Sequence, residues 1–133
     1  MTRILRPYST YLFGILRIVA GYAFALHGAQ KLFGVLGSEG VPLFSILGFA
    51  GVIELFGGAL IAVGLFTSPV AVVASGQMAA AYFIGHVAPN GSFLFPVVNR
   101  GELAVLYCCL FLYIAGHGPG AFSIDGLRRR SLS

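Results

Sequence analysis

Charged residues are what this chain has least of. Its 133 residues include 8 Lys and Arg and 4 Asp and Glu, 9% in all, where soluble domains carry about a quarter. That balance excludes an ordinary soluble domain. Nor do the basic residues form a stripe interleaved with exposed aromatics. Arg3 and Arg6 stand at one end of the chain and Arg128, Arg129 and Arg130 at the other. Those are anchoring positions, and no nucleic-acid partner is expected. Cysteine is confined to the adjacent pair Cys108 and Cys109 in an apolar run. Neighbouring helical side chains diverge by about 100°, so the pair reads as packing, and without a C-x-x-C motif the chain is not expected to exchange disulfides itself. Histidine is sparse too. His27, His86 and His117 lack the within-helix repeats of a two-haem membrane cytochrome, so haem is not expected and would need a pairing of His27 with His86.

What the chain has instead is apolar sequence, 58% of its residues with a mean hydropathy of +0.93. A bilayer core about 30 Å thick takes about 20 helical residues per span. The apolar stretches fall at residues 11–33, 46–66, 69–86 and 100–115. They predict an all-α integral membrane four-helix bundle, residues 1–133 forming a single domain. Gly37, Gly40 and Pro42 break the chain between the first two spans, and Thr67, Ser68 and Pro69 signal a new helix beginning near Pro69. The segment VAPNGSFLFPVVN, residues 87–99, reads as a non-helical interfacial loop.

Four spans put both ends on one side, and the excess of arginine there places the N- and C-termini in the cytoplasm. A secretory signal is the competing reading, since Ala23, Phe24 and Ala25 imitate a cleavage site after Arg3, Arg6 and an apolar run. Arg17 within that run argues against it. Glycines recur every seven residues, at Gly14, Gly21 and Gly28 and again at Gly51 and Gly58, making stripes along which backbones can approach.

An ionisable side chain in a membrane costs at least about 2.5 kcal/mol by insertion scales, so such residues need partners and are functional candidates. Arg17, His27 and Lys31 share one face of the first span. Glu54 lies about 10 Å below the outer surface and Arg17 about 10 to 12 Å above the inner one. An Arg17–Glu54 ion pair is therefore expected, the alternative being that Arg17 reaches the cytoplasmic surface and Glu54 is neutral. His27, Lys31, His86, Asn99, Arg100 and Glu102 occupy the same outer layer as Glu54. Two imidazoles and two carboxylates are metal-ligand types, but the paired Glu-x-x-His spacing of carboxylate-bridged centres is missing and no metal is expected. The cluster is either a structural network or a pocket for a quinone or other small amphiphile.

Several motifs resemble the DoxX family: Arg17 and Gly21 with HGAQKLFG from His27 to Gly34; IELFGG from Ile53 to Gly58 with Gly64, Leu65, Phe66 and Thr67; Met78, Ala81, Tyr82 and His86; and Pro96, Asn99, Gly101 and Glu102, with GPG, Ser123 and Asp125 after them. The resemblance implies a four-span protein of the bacterial cytoplasmic (inner) membrane, in a family named for a subunit associated with a terminal quinol oxidase and with thiosulfate-to-quinone electron transfer. It implies no cofactor ligand set, and catalytic residues stay unknown. The leading expectation is a small subunit that binds a quinone-like amphiphile through Arg17, His27, Lys31, Glu54, His86, Asn99 and Glu102 and works with a redox partner protein. A non-catalytic assembly or scaffold protein is the rival. A transporter reading would need a homo-oligomer with a polar lumen.

Overall fold

The computed structural model describes residues 2–133, which are all-helical with no strand. The first helix, Thr2–Phe33, the second, Ile46–Val63, and the third, Thr67–Asn90, are each long and apolar enough to cross a membrane. A fourth apolar helix, Glu102–His117, is shorter. A tail helix, Ile124–Leu132, follows it.

Local chemistry sets most of the ends. Gly34 (φ 61°) terminates the first helix in the left-handed conformation, and Gly64 (φ 71°) does the same for the second. Ser45 caps the second helix, its hydroxyl accepting from the Gly48 N–H at 3.0 Å. The third helix starts at Thr67 rather than Pro69. Asp125 of the tail supplies the missing acceptors, taking the Phe66 N–H at 3.1 Å and the Thr67 N–H at 2.9 Å. The same helix runs past His86 and stops only at Gly91 (φ 67°). The expected loop 87–99 therefore contains Ala88–Asn90 as a helix end and one helical turn, Pro96–Asn99.

The glycine stripes are where the first two helices meet. A Cβ on Gly21 would stand 2.6 Å from the Gly58 carbonyl oxygen and 2.5 Å from the Ala62 nitrogen, and one on Gly28 2.6 Å from the Gly51 oxygen. These contacts fix an antiparallel register in which Gly28 faces the start of the second helix and Gly21 its end. The third and fourth helices pack along their length, with Ala71 and Ala74 fully buried between larger side chains. Phe24 closes the arrangement by touching Phe111 edge-on at 4.7 Å and Tyr107 at 5.4 Å. Outward faces carry exposed Phe49, Phe56, Val72, Leu106 and Leu112, the surface a lipid bilayer accepts and water does not. Tyr11 lies 5.8 Å from Phe122, ring to ring, so the beginning of the first helix and the tail share one end of the molecule.

Candidate functional site

The polar residues of the first helix divide between the two ends of the molecule. Arg17, with no exposed surface, donates from Nη1 to the Ile61 and Ala62 carbonyls, both at 2.7 Å, and from Nη2 to those of Ala121 and Phe122, both at 2.9 Å. Ile61 and Ala62 belong to the last turn of the second helix, whose carbonyls lack the regular α-helical partner, that of Ile61 also taking the Gly64 N–H at 3.1 Å. The guanidinium thus caps a helix end and ties the tail to it. The expected Arg17–Glu54 pair does not form. In the antiparallel register Arg17 lies beside Ile61, about two helical turns from Glu54.

Glu54 pairs instead with Lys31, Nζ to Oε1 at 2.5 Å, and also accepts from Gln77 Nε2 at 3.1 Å. One carboxylate oxygen therefore joins the first, second and third helices. The carboxylate is 1% exposed, and its other oxygen, Oε2, is buried without a partner, as is Oε1 of Gln77.

Two hollows flank this junction. An inner cavity of about 230 Å³ is bounded by His27, Lys31, Glu54, His86, Arg100 and Tyr107. His27 meets the Tyr107 ring edge-on at 6.3 Å. A larger groove of about 640 Å³ opens between the second and third helices, where Phe49, Ile53, Val73 and Ile84 provide an apolar lining and Lys31, Gln77 and His86 the polar part. Lys31 and His86 border both hollows. Glu54 and His86 each lie in a π-helical turn, Ile53–Gly57 and Tyr82–Val87. Such turns interrupt the regular α repeat and are frequent at functional sites.

Asn99 and Glu102 take other places. Asn99 is buried in a loop network, donating to Tyr82 Oη at 3.1 Å and accepting the Gly101 N–H at 2.8 Å. Its carbonyl lies 3.1 Å from His86 Nδ1, so it orients that imidazole without lining the cavity. Glu102 is exposed in the first turn of the fourth helix and borders neither hollow. Among the described residues no three His, Cys, Asp or Glu side chains converge as a metal-binding group. Gln77 and Tyr107 join the site beyond the residues that the sequence marks out. An amide in the middle of an apolar run was the available signal for Gln77; Tyr107 had none, since a tyrosine is ordinary in such a helix.

A family model, DoxX, matches residues 12–87, more than half of the chain. The chain belongs to the DoxX family. It is also 44% identical over 128 residues to an uncharacterised protein of Haemophilus influenzae, with 91% of this chain and 93% of the relative covered. No solved structure matches it. The DoxX match contains Arg17, His27, Lys31, Glu54, Gln77 and His86, whereas Arg100 and Tyr107 lie beyond it. Family and apolar helices together describe a DoxX membrane protein.

Proposed function

We propose that this DoxX protein binds a quinone or quinone-like amphiphile at the end of the molecule away from its termini, as a small subunit serving a redox partner. In this reading it crosses the bacterial cytoplasmic membrane four times, with both termini in the cytoplasm and the site in the outer half of the bilayer. The observation that carries the reading is the pairing of hollows. A groove with an apolar lining suits a hydrocarbon tail, and Lys31, Gln77 and His86 at its polar part lead to the buried carboxylate. Five arginines near the termini, against Lys31 and Arg100 at the site end, support the orientation.

The protein purified in mild detergent should unfold at a higher temperature as a decyl-tailed benzoquinone is added. Saturation to about 100 times Kd corresponds to about 2.7 kcal/mol. Substituting His86 should abolish that shift in protein that remains folded. Absence of any shift in the native protein would remove the amphiphile reading.

A structural reading is favoured by one observation: the Lys31, Glu54 and Gln77 contacts join three helices and would serve an assembly protein equally well. His27 and His86 distinguish the two. In a scaffold their substitution lowers folded yield and complex formation together, whereas in a ligand site folded variants lose binding.

A further inference from the structure

The Lys31, Glu54 and Gln77 junction leaves two acceptor oxygens over, one on Glu54 and one on Gln77. Lys31 Nζ and Gln77 Nε2 both donate to Glu54 Oε1. Glu54 Oε2 and Gln77 Oε1 remain, buried and without partners. A buried acceptor left unpaired loses its hydrogen bonds to water with nothing in return, and the loss is greater when the acceptor is charged. Glu54 borders the inner cavity and Gln77 the apolar groove, so both orphaned oxygens belong to residues that line the hollows.

Resting on the amphiphile reading above, we infer that the site selects the reduced, hydroxyl-bearing form of its ligand, a hydroquinone head group that donates to Glu54 Oε2, over the oxidised quinone. A quinone carries only carbonyl acceptors at its ring. Facing Oε2 or Gln77 Oε1 it places acceptor against acceptor and leaves both orphans unpaired. A hydroquinone brings two O–H donors. The apolar lining of the groove from Phe49, Ile53, Val73 and Ile84 accepts a tail common to both forms and so does not discriminate. The selection comes from Glu54 and Gln77.

The test compares a decyl-tailed benzoquinone with the corresponding hydroquinone, titrated anaerobically into the full-length protein in detergent. A hydrogen bond to a charged acceptor is worth about 1.5 to 3 kcal/mol, so the hydroquinone should bind at least about tenfold more tightly. Tenfold tighter binding of the reduced form raises the midpoint potential of the bound two-electron couple by about 30 mV. Glu54→Gln supplies the sharper readout. With Lys31 and Gln77 still donating to the amide oxygen, the new NH2 group takes the place of Oε2, and the preference should reverse toward the quinone. Should that variant not fold, Gln77→Leu removes the second acceptor and should lower the affinity for hydroquinone by a larger factor than that for quinone, narrowing the preference.

Equal affinities, or a preference unchanged in both variants, overturn the inference and leave the amphiphile site standing. A quinone preference in the native protein also overturns it. Failure of both probes to bind overturns the inference and the amphiphile reading together.

Discussion

Arg17 places a permanent charge where no water reaches it and meets that charge with four carbonyl oxygens. Guanidinium suits the task because its planar fork donates in several directions at once, which an ammonium on a flexible stem does not. Arg17→Met should leave the carbonyls of Ile61, Ala62, Ala121 and Phe122 without this donor and destabilise the protein by about 2 to 4 kcal/mol, measured by thermal unfolding in detergent. Arg17→Lys should recover only part of the loss. Asp125 answers from the tail. Burial alone would raise its pKa, but hydrogen bonds from the Thr67 N–H and hydroxyl and the Phe66 N–H, together with the Arg128 charge, prevail and hold it below the ordinary 3.8. A depressed carboxylate stabilises the fold above its unfolded pKa and loses that contribution as pH falls through the folded value. The tail should therefore stay docked from neutral pH down to about 4 and become sensitive to an acid-active protease below it. Asp125→Asn should show the sensitivity at higher pH and cost about 1 kcal/mol.

At the scale of elements, the interface between the first and second helices depends on small residues because lipid supplies no hydrophobic force between helices, leaving van der Waals contact and polar pairing. Gly21 and Gly28 permit that contact at the backbone itself. Gly21→Ala would set a methyl 2.5 Å from the Ala62 nitrogen. The two helices should separate, with a loss of about 1 to 3 kcal/mol and a weakened Lys31–Glu54 pair. Gly76, in the third helix with nothing within 4 Å of its Cβ position, is the control. Gly76→Ala should be neutral or stabilising by up to about 1 kcal/mol. The π turns at Ile53–Gly57 and Tyr82–Val87 belong to this scale as well. No residue pattern in IELFG or YFIGHV distinguishes a π turn from an α turn, since both place apolar side chains at helical intervals.

Across the whole molecule the two ends have separate work. At the end shared by the termini, Arg17 and Asp125 bind the tail to the second and third helices, and the Asp125 N–H reaches the Gly64 carbonyl at 2.9 Å. At the other end a buried carboxylate joins three helices beside two hollows. Substitutions at Arg17 or Asp125 should thus lower stability without altering the relative affinity for quinone and hydroquinone, whereas those at Glu54 or Gln77 should alter that ratio.

The apolar runs, the seven-residue glycine stripes and the gathering of His27, Lys31, Glu54 and His86 in one layer were all legible in the sequence. Each follows from local composition and from the fixed rise of a helix, which sets depth along its axis. Which cation meets Glu54 was not legible. Arg17 and Lys31 share a helix face, and depth estimates good to about one turn leave both as candidates. The glycine-to-backbone contacts between the first two helices settled the matter, placing Lys31 beside Glu54 and Arg17 beside Ile61. The tail's capping of the third helix has the same origin, for Asp125 and Thr67 lie 58 residues apart and no local signal links them. Sequence by itself determined a membrane-compatible helical chain of the DoxX family and the layer where its polar groups collect. Register between helices decided their partners, because a hydrogen bond depends on separations of a few tenths of an ångström that only packed backbones define.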